Sequence, residues 1–528
     1  MAQAHRPLSH DSPPTAFPSS LSGSACGSSW HSLSLIPPAA RGSSGQSRVF
    51  SRGGALAWCL QSASAMRTTI LLATMLMSAL VGCSSAQGGG TGGGGPGQGE
   101  GGSDQGGGGG DSPEAPVECF EKKAGCVLPS GAARIESPDV SEEDQALLAR
   151  NNASFALDLG RAISSANGNG NVVYSPYSIS TALAMTYAGA RTTTEQAMAA
   201  AMRFELPQER LHPAFNYVDL ELHKRAEGSS NVEGGGFRLH TANAIWSHVD
   251  LTLEQPFLTV LGESYGARVR LADFDAPEEA EGLINAWVKD QTEGMIPNLL
   301  NGSVTQETRV VLTNAIYFDA AWHTPFNEGA TKPGEFQRGD GTSVTAQMMH
   351  GTRETRYGAG DGWEAVEIPY AGTPVSMFLV LPAEGNADAL AESLDGEGLE
   401  TIIASTQSRS VDITMPKFSF GTGASLKKAL VDLGMSVAFG DSADFSGIRK
   451  GGGLYIQDVI HKAVIGVDEA GTEAAAATAV LVAESSAAAG IFLEPVAIVL
   501  DRPFFFFISD LPTKALLFAG RVNDPTAQ

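Results

Sequence analysis

Residues 467–485 read VDEAGTEAAAATAVLVAES, and two structural preferences compete in them. Ala is the strongest helix former, so the run 474–477 by itself favours a helical turn. The alternation favours a strand, because Glu473 falls on one face and small or apolar residues fall on the other at every second position: Thr472, Ala474, Ala476, Thr478, Val480 and Val482. The segment is therefore predicted to form a strand with one buriable face, and the sheet that receives it must come from other parts of the chain.

The chain around this segment alternates helix and strand signals from about residue 137 to the C-terminus. Ser141 is a predicted N-cap followed by acidic residues, and 181–202 also has helical character. Several β-branched and aromatic runs are continuously apolar, as in a sheet covered on both faces. These runs predict strands over 310–318, 366–372, 375–382, 411–418, 495–500 and 504–509. With no second linker and no internal repeat, the signals predict one large α+β domain over 135–528.

The N-terminal part of the chain has a different composition. Residues 1–65 are rich in Ser, Pro, Ala and Gly without hydrophobic periodicity, and they are expected to be disordered. Residues 66–82, MRTTILLATMLMSALVG, have the basic residue, apolar run and small terminal residues of a secretory signal. A short membrane span is the alternative, but the run is too short to span a bilayer comfortably.

The end of this signal, Leu80 to Cys83, resembles the bacterial lipobox, in which the Cys takes a lipid and becomes the mature N-terminus. On this interpretation Met66 is the expected start and residues 1–65 are not translated. Residues 83–134 are predicted to be a flexible tether, because Gly-rich sequence has few side chains to pack. We therefore expect an exported bacterial lipoprotein of the cell envelope or cell surface (outer membrane or periplasm), or an extracellular protein, with the lipid as its contact with the membrane.

The cysteines limit the chemistry of the main domain, because none of the five lies after Cys126. A cysteine nucleophile or a zinc cluster in that domain is excluded on this ground, and no metal site is expected. Cys119 and Cys126 either close a small disulfide loop or remain free thiols, and the sequence leaves both open. The net charge of −24 argues against a nucleic-acid partner, since phosphate binding requires a basic surface.

Enzyme motifs are absent from the sequence, which lacks GxSxG, HExxH, CxxC and a Walker loop. His461, in DVIHKAVIG, is the histidine that would serve as a base. A histidine in an apolar run is more often a hydrogen-bonded core residue than a catalyst, and no nucleophile lies near it in sequence. We therefore expect a protein that is not an enzyme.

A set of segments, in order across residues 140–526, resembles the serpin family: NVVYSPYSISTALAMTYAGARTTTEQAM, TANAIWS, INAWVKDQTEGMIPNLL, VVLTNAIYFDAAWHTPF, VEIPYAG, MPKFSF, LGMSVAF, ADFSGI, IHKAVIGVDEAGTEAAAATAV and RPFFFFISDLPTKALLFAGRVNDP. The resemblance implies an α+β fold with three β-sheets, eight or nine helices and an exposed reactive-centre loop near the C-terminus. It also implies a monomeric inhibitor of serine-type endopeptidases that needs no cofactor.

Inhibitory serpins are suicide substrates: a protease cleaves the loop after its hinge, and the loop then inserts as a new central strand of the largest sheet. Insertion buries the face of Thr472, where a charge would cost several kcal/mol of desolvation. A non-inhibitory serpin that serves as a surface binding protein is the alternative; such members commonly carry a bulky or charged hinge residue, and this chain does not. The residues that match the hinge are Glu469, Gly471, Thr472, Glu473, Ala474, Ala475, Ala476 and Ala477.

The resemblance also assigns structural roles near the sheet that opens. Trp322 matches the aromatic residue of the breach at the top of the sheet. Lys417 and Glu469 match a pair that the family often joins by a salt bridge where the loop begins to insert. The shutter, a buried polar cluster under the sheet, is matched by Ser175, Ser178, Asn314 and His461.

Two ways of counting residues along the loop predict different cleaved bonds. Counting forward from Glu469 as in the family gives Ser485-Ser486, whereas counting back from Arg502 gives a bond nearer Ile491-Phe492. The first is preferred because hinge spacing governs insertion. No Lys or Arg occurs over 463–501, so a protease with an acidic specificity pocket finds no side chain to bind. The expected partners are elastase-like, subtilisin-like or chymotrypsin-like serine proteases.

Overall fold

Helices and strands alternate along the chain, as the sequence predicts, in the residues that the computed structural model describes: 118–119, 121–168, 170–229, 237–472 and 494–527. The α-helices in these ranges are α1 (Glu142–Asn167), α2 (Pro176–Tyr187), α3 (Thr192–Ala201), α4 (Gln208–Ser229), α5 (Gln255–Tyr265), α6 (Pro277–Gln291), α7 (Ala387–Ser393), α8 (Gly396–Ser405) and α9 (Lys427–Leu430).

The strands divide into those before and after α7. The first group is β1 (Val172–Tyr174), β2 (Arg238–Thr241), β3 (Ala244–His248), β4 (Arg270–Ala272), β5 (Val310–Ala321), β6 (Lys332–Gln337), β7 (Ser343–Gly360), β8 (Trp363–Pro369) and β9 (Val375–Pro382). The second group is β10 (Gln407–Pro416), β11 (Phe418–Ser425), β12 (Val459–Val467), β13 (Gly471–Thr472), β14 (Val496–Val499), β15 (Phe504–Asp510) and β16 (Ala515–Val522).

These strands form two hydrogen-bonded sheets in the described residues. The seven-stranded sheet has the order β11-β12-β13-β5-β3-β4, with β2 also paired to β5. The nine-stranded sheet has the order β1-β16-β15-β9-β8-β7-β10-β14, with β6 also paired to β7. Together with the nine described helices they make the α+β fold that the sequence predicts.

Three sheets were expected, but the described strands form two, because the unusually long strand β7 joins two groups of strands into one sheet. Its first part pairs with β6 and β10, whereas its end, Tyr357–Gly360, pairs with β8. One backbone ladder therefore connects two groups of strands that pack in different places. A helical pattern over 181–202 is likewise divided, into α2 and α3, because the chain turns at Gly189 and Ala190, whose backbone N–H groups donate to the carbonyls of Thr186 (3.1 Å) and Tyr187 (3.0 Å).

The helices begin and pack as their sequences dictate. The Ser141 hydroxyl accepts a hydrogen bond from the backbone N–H of Asp144 (3.2 Å), which confirms the predicted N-cap of α1. Every residue of α2 is buried, because this helix contacts strands of both sheets, β5 and β16. Helix α6 covers the outer face of the seven-stranded sheet through Ala280, Ile284 and Val288. No helix in the described ranges is long and apolar enough to cross a membrane.

An N-terminal segment, which we call the clasp (residues 118–119 and 121–128), lies along the edge strand β4. The backbone N–H of Leu128 donates to the carbonyl of Val269 (2.8 Å), and that of Leu271 donates to the carbonyl of Cys126 (3.0 Å). These bonds occupy backbone groups that β4 would otherwise expose at the sheet edge. A disulfide joins Cys119 to Cys126, which decides between the two states that the sequence left open.

Described residues before the predicted domain boundary at residue 135 already pack against the domain. Residues 121–134, assigned to the tether 83–134, pack against the domain through the clasp and through Arg134, which forms a 2.5 Å ion pair with Asp219 on α4. The sequence signal was missed because the Gly-rich composition ends near residue 110, whereas hydrophobic periodicity only begins with α1. Residues 83–117 of the tether, which include Cys83, and the signal 66–82 lie outside the described residues.

Reduction of the Cys119–Cys126 disulfide is expected to loosen the clasp. Closing so short a loop restricts the unfolded state of the oxidised clasp by about 2 kcal/mol, and reduction removes this restriction. The amide hydrogens of Leu128 and Leu271 should therefore exchange roughly 30-fold faster after reduction. Hydrogen exchange with and without reductant measures this difference. In the control variant Cys119→Ser/Cys126→Ser, exchange should be fast already and insensitive to reductant. Equal rates in the oxidised and reduced native protein would contradict the expectation.

Candidate functional site

The candidate site is the place where β13 enters the seven-stranded sheet. Strands β5 and β12 pair directly and in parallel over Leu312–Ile316 and Val459–Ala463. Beyond these residues they diverge, and β13 lies between them: Thr472 pairs with Ala320 on β5 and with Val467 on β12. The sheet therefore holds the first two strand residues of the predicted hinge.

Gly471 occupies a position where no side chain fits. A Cβ atom there would lie 2.2 Å from the carbonyl oxygen of Ala320 and 2.8 Å from the Cα of Ala321. Both contacts are with the backbone of β5, which cannot rotate away as a side chain could. The glycine of the hinge is thus required by the close approach of β13 to β5.

Thr472 is 1% exposed and points into the core. Its hydroxyl shares a 2.7 Å hydrogen bond with the phenol of Tyr370, whose pKa is raised by burial and which therefore stays protonated. The ring of Tyr370 stacks on Trp322, with centroids 4.7 Å apart and planes 14° from parallel. A small side chain is needed here because the position is buried beside the Tyr370 ring, which its stacking on Trp322 holds in place.

Trp322 holds the turn that leads into the hinge. Its indole Nε1–H donates to the carbonyl of Asp468 (2.9 Å), and its backbone N–H donates to the carbonyl of Ala470 (2.9 Å). The Asp468 carboxylate accepts from the backbone N–H groups of Ala470 (2.9 Å) and Gly471 (3.1 Å). The breach residue predicted from the sequence thus contacts the hinge backbone directly.

Glu469 is anchored by two side chains from other strands and connections. Its carboxylate lies 2.6 Å from Lys417 Nζ, which is the salt-bridge partner predicted from the sequence. It also accepts a 2.6 Å hydrogen bond from the Thr331 hydroxyl. Burial alone would raise the pKa of Glu469, but the hydrogen bonds from Lys417 and Thr331 outweigh it and the pKa is lowered. The carboxylate is therefore charged at neutral pH and ties the start of the hinge to the top of the sheet.

The four predicted shutter residues come together below this point. His461 and Asn314 are opposite each other in the β5–β12 ladder, and the His461 Nδ1 hydrogen bonds to the Asn314 side-chain oxygen. His461 Nε2 accepts from the backbone N–H of Ser175 (3.2 Å), so the neutral ring carries its proton on Nδ1. The Asn314 amide donates to the Ser178 hydroxyl (2.7 Å).

This cluster is closed to solvent, since all four residues are at most 2% exposed. Burial lowers the pKa of His461 to about 3, so the ring stays neutral at physiological pH. Both of its ring nitrogens are occupied and no serine hydroxyl contacts them. The arrangement has the geometry of a structural network under a strand pair and not of a nucleophile activated by a base.

Three residues of the site are not predicted by the sequence: Asn243, Tyr370 and Thr331. Asn243, just before β3, accepts from Ser178 Oγ (2.7 Å) and from the Asn314 amide (2.9 Å), and so completes the shutter. Two of the three lie in segments that carried the resemblance, TANAIWS and VEIPYAG. Nothing in their local pattern marks them, because their partners are distant in sequence.

Part of the predicted site lies outside the described residues. This applies to the remaining hinge residues, Glu473 and Ala474 to Ala477, and to both candidate reactive bonds, Ser485-Ser486 and Ile491-Phe492. Their assignments stay predictions.

Comparison with known proteins gives a consistent family. The family model "Serpin (serine protease inhibitor)" matches residues 150–525. An uncharacterized serpin-like protein of Thermococcus kodakarensis is 38% identical over 70% of this chain and 84% of its own length. The leukocyte elastase inhibitor of Sus scrofa is 35% identical over 71% of this chain and 98% of its own length. A solved structure of thyroxine-binding globulin in complex with thyroxine is 28% identical, with a TM-score of 0.62, over 72% of this chain and 99% of that one.

Replacing Asn243 with alanine is expected to destabilise the shutter. The substitution leaves the Ser178 hydroxyl and the Asn314 amide without a shared acceptor, at a cost of about 1–3 kcal/mol. Thermal and urea unfolding would measure the loss. Asn301→Ala, in an exposed turn, is the matched control and should unfold like the native protein. The same stability in both variants would show that Asn243 is not part of the network.

Lys417→Gln is expected to weaken the top of the sheet by about 1 kcal/mol, because Lys417 is partly exposed while Glu469 is buried. Since the pKa of Glu469 is lowered in the folded protein, the stabilisation is present above about pH 4.3 and is lost as the pH falls through the folded pKa. Melting temperatures of native and variant protein should therefore converge at low pH. Exposed Lys332→Gln is the control. A difference that does not change with pH would contradict this account.

Proposed function

Because the chain belongs to the serpin family, we propose that it is a suicide-substrate inhibitor of serine proteases. In this function a target protease attacks the loop after β13 as a substrate and forms an acyl-enzyme ester. The part of the loop before the cleaved bond then enters the sheet between β5 and β12, and it carries the protease away before the ester is hydrolysed. The chain itself supplies no catalytic group.

The observation that supports this most directly is the position of β13. Gly471 and Thr472 already separate β5 from β12 at one end, so a following strand has an entry point with defined register. Each further loop residue that enters the sheet replaces one backbone contact between β5 and β12 with two new contacts, one to β5 and one to β12. Insertion therefore exchanges one parallel ladder for two antiparallel ladders, which favours the inserted state.

The register of β13 also indicates what the next residues would meet. Continuing from Thr472 opposite Ala320 places Ala474 and Ala476 on the same core-facing side, where small side chains fit. Thr478 would lie opposite Asn314 and His461, at the shutter, where its hydroxyl is able to hydrogen bond. The sequence alternation and the sheet are thus compatible over this stretch.

The outer face would place Glu473 beside Asp319, which is a like-charged neighbour. Asp319 already forms an ion pair with Arg238, its partner on β2. That guanidinium lies within the same row of side chains, so it reduces the repulsion between the two carboxylates. The one acidic residue in the first part of the loop would therefore enter beside a guanidinium that already pairs with Asp319 and with Glu293 (3.6 Å), which offsets part of its charge.

We further propose Ser485-Ser486 as the cleaved bond, with Ile491-Phe492 as the alternative, and an elastase-like, subtilisin-like or chymotrypsin-like target. The absence of Lys and Arg over 463–501 supports this range of specificity, and the similarity to an elastase inhibitor agrees with it. We also propose that the monomer is held in the cell envelope or at the cell surface by a lipid on Cys83 and the Gly-rich tether. The lipobox-like sequence after the apolar run supports this anchoring.

A non-inhibitory binding function is the second candidate, favoured by the similarity to thyroxine-binding globulin. The two functions differ in what loop cleavage does. Cleavage of an inhibitor with insertion raises the melting temperature, because a strand is added to the sheet. Unchanged stability after cleavage would support the binding protein.

The decisive experiment incubates the protein with elastase, subtilisin and chymotrypsin, followed by denaturing electrophoresis and mass spectrometry of the released C-terminal peptide. An inhibitor gives a covalent complex, and the peptide identifies the bond. Thr472→Arg should turn the inhibitor into a substrate, because a charged side chain does not fit at this 1% exposed position and should keep β13, and the loop that follows it, from entering the sheet. Thr472→Ala, which stays small, is the matched control and should still form the complex. Cleavage without complex by all three proteases would refute the proposed function.

A further inference from the structure

One cluster of metal-ligating side chains lies away from the hinge and the shutter. Among the described residues, the His, Cys, Asp and Glu side chains that could hold one ion together are His248, Asp273 and Asp275, whose donor atoms lie within 4.8 Å of one another. His248 ends β3, and the two aspartates follow β4, its parallel neighbour. Pairing of β3 with β4 thus brings the three together.

His248 is the unusual member of this group. It is only 4% exposed, yet its Nε2 has no hydrogen-bond partner. Nε2 is 3.7 Å from Asp275 Oδ1 and 3.9 Å from Asp273 Oδ1, which is too far for hydrogen bonds but suits an ion between them. A buried nitrogen without a partner is costly, so its orientation toward two carboxylates points to a missing ligand.

We propose that His248, Asp273 and Asp275 form a site for a divalent transition-metal ion of the Zn²⁺ class. Imidazole with two carboxylates suits Zn²⁺ better than Ca²⁺ or Mg²⁺, which prefer oxygen ligands alone. Ligands of a tetrahedral Zn²⁺ stand about 3.3 Å apart, so each carboxylate oxygen needs to move inward by roughly half an ångström. The side chains of Asp273 and Asp275 are 51% and 69% exposed, which leaves room for that movement, and Asp273 Oδ1 also accepts a hydrogen bond from the backbone N–H of Asp275 (3.1 Å).

Binding has one cost in this geometry. The backbone N–H of Asp250 donates to His248 Nδ1 (3.1 Å), so the proton of the neutral ring is on Nε2 without metal. An ion at Nε2 displaces this proton to Nδ1 and breaks the bond to Asp250. Loss of one such hydrogen bond weakens binding by about tenfold. The site is therefore expected to take Zn²⁺ or Co²⁺ more weakly than a preorganised structural zinc site.

The bound ion would connect β3 to the segment between β4 and α6. Strand β3 also pairs with β5, whereas Asp273 and Asp275 immediately precede α6, which covers the sheet. The ion would thus stabilise the β4 side of the seven-stranded sheet without touching the hinge. The earlier exclusion of a zinc cluster rested on cysteine content and does not extend to a site built from histidine and aspartate.

To test this, the full chain is first freed of metal with a chelator. It is then titrated with Zn²⁺ in competition with a chromophoric chelator, and separately with Co²⁺ while the visible absorption is recorded. The native protein should bind Zn²⁺ with a rise in melting temperature. Asp273→Asn/Asp275→Asn should bind at least about tenfold more weakly and lose the tetrahedral Co²⁺ absorption. The side-chain oxygen of Asp273 accepts a hydrogen bond from the backbone N–H of Asp275 (3.1 Å), and an amide oxygen at that position can accept the same bond, so this variant should fold.

Glu278→Gln is the matched control, because Glu278 is an exposed acidic residue of the same region outside the cluster. It should bind Zn²⁺ like the native protein. The proposal is overturned if native protein and double variant bind Zn²⁺ equally, since binding would then come from other histidines. It is also overturned if about 100 µM Zn²⁺ leaves the melting temperature of the native protein unchanged. Neither readout depends on protease inhibition.

Discussion

The direct pairing of β5 with β12 is the constraint on which the rest of the structure depends. Their backbones bond over Leu312–Ile316 and Val459–Ala463, and they separate only where β13 enters. This ladder closes the sheet, but it is not the arrangement with the most hydrogen bonds, because a complete strand between the two would bond to both. The same ladder therefore keeps the sheet closed and marks where another strand would enter.

The side chains around this ladder balance those two demands. His461 and Asn314 are a register pair, so their hydrogen bond joins the strands through side chains as well as backbone. Separation of the two strands would leave these buried polar groups without partners unless an entering residue supplied new hydrogen bonds. At the top, Gly471 and Thr472 fit between the strands only because one has no side chain and the other has a small one. In the proposed mechanism the shutter would oppose opening of the sheet, and the hinge residues would fix where opening starts.

The opposite side of the same sheet is held differently. The disulfide-closed clasp adds backbone bonds along β4, and α6 covers the outer face. The proposed metal site would join β3 to the β4–α6 connection at this side. Stabilising contacts are thus concentrated on the β4 side of the sheet, whereas β5 and β12 are already separated at one end by β13. Such a distribution is suited to a sheet that opens along one line without losing its edge.

The sequence by itself determined the α+β class, the N-cap of α1, strands such as β9 and β15, and, through ordered motifs, the family. These features depend on local periodicity or on short segments that persist as blocks. Only the tertiary structure decided that Thr472 is already buried against Tyr370, that Asn243 completes the shutter, that residues 121–134 pack on the domain, and that His248 faces two aspartates. Each of these is a contact between residues far apart in sequence. Chain topology places such partners within hydrogen-bonding distance, and no local pattern records it.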